Sequence, residues 1–252
     1  MPLRFAANLS LLFTELPFME RFSAAREAGF DAVEVLFPYD CPAQDMRDQL
    51  VWNGLSFVLM NCPPPNFTGG PRGMAAIPGG EDRFRRDFAR VLRYAQVLKP
   101  RHIHVMSGEA EGAAARDTFV ANLRWAAAEA PKQSLTIEPL NEGDFPGYFL
   151  SDYHLAAEVL DAVGMPNVGL QYDFYHAQAM TGDALGVWDR FGPRAVHVQL
   201  GGFPGRIEPD RGQADFPALL ARLDRDGYDG WVSAEYHPAG GTPAGLGWLP
   251  KR

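Results

Sequence analysis

Four short segments of the chain each place an oxygen-bearing side chain where an apolar run ends. The segments are "LTIEPL" (135–140), "VGLQYD" (168–173), "AVHVQL" (195–200) and "GWVSAEY" (230–236), and the side chains are Glu138, Asp173, Gln199 and Glu235. One such acid by itself is commonly a helix N-cap or part of a surface salt bridge. Four in succession, at the ends of four predicted strands, indicate a shared site.

Three carboxylates and an amide in one site point to a divalent cation. Carboxylates held close together repel one another and are costly to remove from water, and a bound cation offsets both effects. Oxygen ligands favour Mg²⁺ or Mn²⁺ over Zn²⁺, which prefers His and Cys. We therefore expect Glu138, Asp173, Gln199 and Glu235 to be metal ligands.

The lysines lie where they cannot form a Schiff base with a substrate in this site. Lys99 and Lys132 precede predicted strands, at the ends opposite to the acids, and Lys251 is in the C-terminal tail. A Schiff-base aldolase needs a lysine inside its active site. The sequence therefore disfavours that chemistry.

Eight β-type runs alternate with helical patterns, and these elements must position the oxygen ligands. The other four predicted strands cover residues 3–9, 31–35, 55–61 and 101–106. Among the predicted helices, "EDRFRRDFARVLRYAQVL" places Phe84, Phe88, Val91, Leu92 and Ala95 on one face. The helix in "SDYHLAAEVLDAVG" has Ser151 as its expected N-cap.

This alternation predicts an α/β fold, a single-domain (β/α)₈ TIM barrel over residues 1–252. The carboxyl ends of the strands line the active site in such a barrel, which brings the four oxygen ligands to one mouth. An open doubly wound sheet is the alternative. It would be expected to carry a Gly-rich loop after the first strand, and "NLSLLFTEL" has none. The long irregular stretch 62–80 predicts a functional loop.

The composition of the chain argues against nucleic-acid and membrane partners and favours a small-molecule one. The net charge is −8 and no cluster of Lys and Arg is present, so we expect no nucleic-acid partner. No apolar run approaches the ~18 residues of a membrane helix, and the N-terminus is a poor signal peptide, so we expect a cytoplasmic protein without a membrane partner. The two cysteines suit a reducing compartment. A homo-oligomer is compatible with the sequence.

At these residues the chain resembles the hydroxypyruvate isomerase family. That family belongs to the xylose isomerase-like TIM barrels, alongside ketose 3-epimerases and endonuclease IV-type enzymes. The resemblance extends over nearly the whole chain, in "RFAANLSLLF", "VEVLFPYD", "RGMAAIPG", "QYDFYH" and "GYDGWVSAEYHP" among other stretches.

The resemblance implies roles for individual residues. It makes Glu138, Asp173, Gln199 and Glu235 the metal ligands, with Glu138 and Glu235 also the proton-transfer pair. It further implies that His176 and Asp144 contact substrate oxygens.

Two loop arginines are candidates for holding a substrate carboxylate. Arg72 and Arg206 follow the third and seventh predicted strands, and Arg binds carboxylates through paired hydrogen bonds. A solvent-exposed loop arginine is the alternative reading of each.

The implied activity is a metal-dependent isomerase that interconverts hydroxypyruvate and 2-hydroxy-3-oxopropanoate by proton transfer through an enediolate. A 2-oxotetronate isomerase and a ketose 3-epimerase are alternatives on the same site. A DNA-repair endonuclease and a non-catalytic sugar-acid sensor are more distant ones. The loop sequences "QLGG", "PDRGQ" and "NCPPPNF" differ from those usual in the family, which leaves the substrate open.

Histidines in two predicted strands receive structural interpretations. His102 and His104 alternate to one face of their strand. We predict that His104 is a core histidine whose ring nitrogens are satisfied, and the alternative is that it points into the barrel. His197 lies two residues before Gln199, so we expect it to face the same way and to support the site from beneath.

Overall fold

The structure, a computed structural model, describes residues 2–64 and 72–250. The middle of the predicted functional loop, residues 65–71, lies outside the described residues, as do Met1, Lys251 and Arg252. The other predicted site residues all lie within the described ranges.

Nine parallel β-segments within residues 2–64 and 72–250 form one continuous sheet. They are β1 (Arg4–Asn8), β2 (Ala32–Glu34), β3 (Ser56–Phe57), β4 (Leu59–Asn61), β5 (His102–His104), β6 (Ser134–Ile137), β7 (Val168–Asp173), β8 (Ala195–Leu200) and β9 (Trp231–Ala234). Their order in the sheet is β3-β2-β1-β9-β8-β7-β6-β5-β4. Each of the eight predicted strands is confirmed, and the third is divided into β3 and β4.

The two ends of the sheet come together at Val58, which separates β3 from β4. β3 pairs with β2, whereas β4 pairs with β5 at the other end of the strand order. Backbone bonds continue the contact around the division, from Val35 N to Leu59 O (3.2 Å) and from Asn61 N to Leu36 O (2.9 Å). The sheet therefore forms a nearly closed barrel with eight strand positions.

In the described residues, eight α-helices surround the barrel. They are α1 (Arg21–Glu27), α2 (Ala43–Trp52), α3 (Glu81–Leu98), α4 (Gly112–Glu129), α5 (Tyr153–Val163), α6 (Phe174–Thr181), α7 (Ala184–Phe191) and α8 (Phe216–Arg225). Two helices, α6 and α7, separate β7 from β8, and a short 3₁₀ turn at Thr242–Gly245 follows β9. Strands and helices thus alternate as the predicted (β/α)₈ TIM barrel requires. In the described part of the chain, no helix combines the length and the apolar character that crossing a membrane requires.

The helices α3 and α5 allow the helix signals in the sequence to be compared with the structure. α3 has the predicted bounds and buries the predicted Phe84, Phe88, Val91 and Ala95, while Leu92 is half-buried. The predicted N-cap of α5 was wrong by one residue. Asp152 caps this helix, its carboxylate accepting from Leu155 N, and the Ser151 hydroxyl donates to Glu142.

Apolar side chains fill the layer between strands and helices, whereas the interior of the barrel is largely polar. The main core joins the outward faces of the strands to the inward faces of the helices. A smaller cluster of Ala6, Ala32, Val58, Leu59 and Trp231 is separate from it. Polar side chains that are buried on the strands include His102, His197, Gln171 and Ser233.

Candidate active site

The four predicted oxygen ligands all lie at the carboxyl ends of their strands. Asp173 is the last residue of β7 and Gln199 the last but one of β8, while Glu138 and Glu235 directly follow β6 and β9. Parallel strands present these ends at one side of the barrel. The structure therefore brings the four side chains together as expected.

A cavity of about 640 Å³ opens at this end of the barrel. Six of the eight predicted site residues line it: Arg72, Glu138, Asp144, His176, Arg206 and Glu235. Asp173 and Gln199 are fully buried and do not line the cavity. The guanidinium of Arg206 is bonded to Asp173, and the amide of Gln171 to Gln199.

Asp173 has two structural roles at once. Its Oδ1 accepts the backbone N–H groups of Tyr175 (2.7 Å) and His176 (3.2 Å), which makes it the N-cap of α6. Its Oδ2 lies 2.5 Å from Nη2 of Arg206. One carboxylate therefore starts a helix and also contributes charge to the site.

Arg206 is the cation at the centre of the site. Its Nη2 lies between Asp173 and Glu235, 3.1 Å from Oε1 of the latter, and its Nε donates to the backbone oxygen of Glu235. The guanidinium also lies over the ring of Tyr175. Its backbone is left-handed, with a φ of 52°. Such a conformation is uncommon outside glycine and asparagine, and persists only where the surroundings hold it.

The site holds more carboxyl groups than cationic side chains. The mutual repulsion of these carboxyl groups contributes to raised pKa values. Burial, together with the Asp173 and Glu235 carboxylates, holds the pKa of Glu138 well above its usual range. Burial and the nearby Glu34 and Asp173 raise the pKa of Glu235 likewise, against the opposing effect of Arg206. In the described residues, Oε2 of Glu235 is buried without a hydrogen-bond partner.

These features fit a divalent cation. All four expected ligands offer oxygen, the ligand atom that hard divalent cations prefer. Raised carboxyl pKa values and an unpartnered carboxylate oxygen mark a site with too little positive charge, which a cation supplies. Ligand atoms of Glu138, Asp173 and His176 also lie within 4.8 Å of one another.

His176 faces the cavity with a defined ring orientation. Its Nδ1 accepts the backbone N–H of Asn141 at 3.1 Å, and Asn141 Nδ2 lies 2.8 Å from the same nitrogen. Burial lowers the pKa of His176 to about 4, so the ring is neutral near pH 7. Its single proton is therefore on Nε2, which lies 4.0 Å from Oε1 of Glu138 and 2.9 Å from Nη1 of Arg206.

The two remaining predicted contacts lie on the rim. Oδ2 of Asp144 accepts from Asn141 Nδ2 (2.9 Å) and from the hydroxyl of Tyr175 (2.8 Å). Burial opposes ionisation of Asp144, but these bonds outweigh it and lower the pKa. The exposed Arg72 lies with its guanidinium 4.3 Å from the ring centroid of Phe145. No ion pair joins Arg72 to a carboxylate of residues 2–64 or 72–250.

Sequence reasoning missed two polar residues beneath the site. Glu34, the last residue of β2, accepts from Gln199 Nε2, and Gln171 of β7 donates to both Glu138 (2.8 Å) and Gln199 (2.6 Å). The strand-end rule, applied to "DAVEV" as well, would have found Glu34. The two-residue period from Asp173 would have found Gln171.

Two histidine interpretations have different outcomes. His197 supports the site as expected, since its Nε2 lies 2.8 Å from Oε2 of Glu34, the partner of Gln199. His104 is buried as predicted and its Nδ1 lies 3.3 Å from Oδ1 of Asn61, but the prediction that its ring nitrogens are all satisfied was wrong. His104 lines the cavity with Nδ1 3.5 Å from Glu138, and its buried Nε2 has no partner among the described residues. Its inward position at the end of β5 places the buried ring against the cavity wall.

The fold and the position of the cavity are those of a TIM-barrel enzyme, with the site at the carboxyl ends of the strands. The model of the xylose isomerase-like TIM barrel family matches residues 22–252. The chain belongs to this family, and within it to the group of hydroxypyruvate and 2-oxo-tetronate isomerases. It is therefore an isomerase.

Similar proteins cover nearly the whole chain. The 2-oxo-tetronate isomerase of Cupriavidus necator is 44% identical, over 98% of this chain and 97% of its own. The hydroxypyruvate isomerase of Escherichia coli is 38% identical, over 98% of each chain. A solved structure from Brucella melitensis, described as an AP endonuclease of family 2, is 45% identical with a TM-score of 0.95, and covers 99% of this chain and 98% of its own.

Proposed function

We propose that the chain interconverts short 2-oxo, 3-hydroxy acids with their 2-hydroxy, 3-oxo isomers, in the way that hydroxypyruvate converts to 2-hydroxy-3-oxopropanoate. The observation that carries the proposal is the pair Glu138 and Glu235. Both carboxyls line the same cavity from strands three positions apart in the barrel, and both have raised pKa values. Two such groups can remove a proton from one carbon and return it to the next.

The raised pKa values suit this proton chemistry. A general base works best when its pKa lies near the operating pH, and a carboxyl at its ordinary value is too weak a base. Burial raises the pKa values of Glu138 and Glu235, whereas a bound cation would lower them, so their working basicity is the balance of these two effects. One of them takes the proton from the hydroxyl-bearing carbon, and the resulting enediolate is reprotonated at the neighbouring carbon.

Glu138, Asp173, Gln199 and Glu235 would hold the divalent metal, Mg²⁺ or Mn²⁺. When bound, the metal supplies Lewis-acid stabilisation of the negative charge that develops on the substrate oxygens. The four ligands come from β7 and β8 and from just beyond β6 and β9, so the barrel itself sets their spacing.

Two donors in the cavity are placed to bind a substrate oxygen. Nε2–H of His176 and Nη1–H of Arg206 lie 2.9 Å apart, and two donors cannot satisfy each other. A substrate oxygen that displaces this contact and lies within reach of both nitrogens would accept from both. Asp144, on the rim, is placed to accept from a substrate hydroxyl.

Arg72 is the better placed of the two arginines to hold the substrate carboxylate. Three N–H groups of Arg206 point to oxygens of Asp173 and Glu235. The guanidinium of Arg72 lies on the cavity wall against Phe145, without an ion pair to the described carboxylates. A planar guanidinium can then bind a carboxylate through two parallel bonds.

A four-carbon substrate is the second candidate. The cavity of about 640 Å³ is much larger than a three-carbon acid, and the relative from Cupriavidus necator is named a 2-oxo-tetronate isomerase. A 2-oxo-tetronate carries the same reacting pair of carbons as hydroxypyruvate. The roles of Glu138 and Glu235 are therefore the same for both acids.

A substrate panel tests this function. Purified protein with Mn²⁺ or Mg²⁺ is incubated with hydroxypyruvate, a 2-oxo-tetronate and a neutral ketohexose, and products are followed by NMR. We expect the acids to isomerise, and a chelator to stop turnover until metal is restored. Turnover of the ketohexose alone would identify a ketose 3-epimerase, and binding of the acids without turnover a sensor.

The endonuclease alternative is tested separately. A DNA-repair enzyme needs a basic surface, and this chain has a net charge of −8. We expect no cleavage of a duplex that carries an abasic site.

Cys41 and Cys62 are free thiols, which agrees with a cytoplasmic place for the reaction.

A further inference from the structure

Glu34 lies beneath the candidate metal site, at the end of β2, and is fully buried. Its Oε1 accepts from Asn8 Nδ2 and from Gln199 Nε2, both at 2.9 Å. Its Oε2 lies 2.8 Å from Nε2 of His197. This carboxylate therefore joins strands β1, β2 and β8 beneath the cavity.

The contact with Glu34 determines which way the Gln199 amide points. A carboxylate can only accept, so the end of the amide that faces it must be the NH₂ group. The carbonyl oxygen of Gln199 therefore points away from Glu34. There it accepts from Nε2 of Gln171 at 2.6 Å, and the same nitrogen donates to Glu138 at 2.8 Å. The oxygen of Gln199 thus lies on the Glu138 side.

Without Glu34, the surrounding charge would favour the opposite orientation. Asp173 and Glu235 are acceptors, and an amide beside carboxylates gains by turning its NH₂ group to them. That orientation presents a donor to the metal site and withdraws the oxygen ligand. The bond to Glu34 at one end of the amide, together with the bond from Gln171 at the other, opposes that orientation.

We propose that Glu34 is a positioning residue that keeps the carbonyl oxygen of Gln199 directed toward the metal site. The inference rests on the proposed function only in assuming that Gln199 is a metal ligand. Glu34 acts through Gln199 and also lies within hydrogen-bonding reach of the neighbouring Glu235, and it contacts neither metal nor substrate. It raises the metal affinity of the site, and its effect on turnover follows from that affinity.

Direct Mn²⁺ binding, measured from the free-ion signal in electron paramagnetic resonance, tests this role without any assay of turnover. In Glu34→Ala, water can fill the polar space, but no fixed acceptor remains for Gln199. We expect the Mn²⁺ dissociation constant to rise about 10–100-fold, as is usual when a partner of a metal ligand is removed.

Two variants separate the acceptor role from charge and from burial. In Glu34→Gln, the amide oxygen can still accept from Gln199, because His197 can move its proton to Nδ1, which has no partner among the described residues. Glu208→Ala is the matched control, since Glu208 is also buried. Its side chain accepts from the backbone N–H of Ala239 and forms an ion pair with Arg211, and neither of these residues is an expected metal ligand. We expect both variants to bind Mn²⁺ within about threefold of the wild type, against the larger loss in Glu34→Ala.

The outcomes distinguish the inference from the proposed function. Wild-type affinity in Glu34→Ala, or an equal loss in Glu208→Ala, would overturn the positioning role. Absence of Mn²⁺ binding by the wild type would instead overturn the metal site itself. If thermal melting shows that Glu34→Ala does not fold, Glu34→Asp replaces it. Its shorter carboxylate no longer reaches Gln199, so the same loss of affinity is expected.

Discussion

At the residue scale, Asp173 has a structural role and a role in the charge of the site at the same time. One oxygen caps α6, and the other binds Arg206. A carboxylate has about four acceptor positions, so the cap leaves capacity for a cation. The cap also fixes the side chain rotamer that presents Oδ2 to the site.

The general base is tested by Glu138→Gln, which keeps the shape of the side chain but removes its proton affinity. We expect kcat to fall about 10²–10⁴-fold, the usual contribution of a positioned base. Steady-state kinetics on hydroxypyruvate and a 2-oxo-tetronate measure it. Glu208→Gln is the control, because Glu208 is buried and does not line the cavity. Full activity of Glu138→Gln would remove Glu138 from the mechanism.

The carboxylate contact is tested by Arg72→Ala. A hydrogen bond to a charged group contributes about 1.5–3 kcal/mol, so we expect KM for the acid substrates to rise about 10–100-fold. kcat should change far less, because the carboxylate is not a reacting group. Arg85→Ala is the matched control, since Arg85 also lies over an aromatic ring, that of Trp125 on α4, and does not line the cavity. An equal loss of affinity in both variants would contradict the assignment.

At the element scale, the loop after β8 carries the central cation. Gly202 and Ile207 exchange backbone hydrogen bonds of 2.8 and 3.1 Å and close the loop. His237 N donates to the backbone oxygen of Arg206 at 2.7 Å, which ties the loop to the segment after β9. The left-handed backbone of Arg206 is held by these contacts, so the loop delivers a fixed guanidinium rather than a mobile one.

The identity of the N-cap of α5 can be tested by comparing the stability effects of substitutions at Asp152 and Ser151. Asp152→Ala removes the observed N-cap, and we expect the free energy of unfolding to fall by about 1 kcal/mol. Ser151→Ala is the matched control, and its exposed bond to Glu142 predicts a change within about 0.5 kcal/mol. Chemical denaturation of both variants measures the difference. The reverse order of effects would restore Ser151 as the cap.

At the scale of the whole molecule, the barrel encloses polar side chains that a core normally excludes. His102 and His197 lie with ring centroids 5.5 Å apart inside it. Burial, and then the neighbouring His197, lower the pKa of His102 to about 2 and that of His104 to about 3. The folded barrel therefore holds both rings neutral.

This interior predicts a dependence of stability on pH. An unfolded histidine takes up a proton below about pH 6.5, whereas the folded rings do not, so stability is full above pH 6.5 and falls as pH decreases toward 3. His102→Gln should reduce that slope by up to about 1.4 kcal/mol per pH unit. Denaturation of both proteins between pH 7.5 and 5 measures it, with the exposed His154→Gln as control. Equal slopes in all three proteins would contradict the prediction.

Much of the fold could be predicted because its signals are local. Each predicted strand is a short apolar run, and α3 was correct to the residue because its apolar face repeats every turn. The division of the third strand at Val58 had no such signal, since it follows from closing the barrel. The N-cap of α5 was missed because Ser151 and Asp152 are adjacent and are both suitable caps, and the local pattern does not show that the helix begins at Tyr153.

The sequence by itself determined the barrel and the set of acids at its mouth, because strand periodicity and strand-end position are properties of neighbouring residues. Only the tertiary structure decided how those side chains are oriented. The bond between Gln199 and Glu34 joins residues 165 apart in the chain, and the bond between Arg206 and Asp173 joins residues 33 apart. Such contacts depend on which strands become neighbours and how they are registered. Long-range packing, which no local pattern records, therefore places Glu34 beneath the site and Arg206 at its centre.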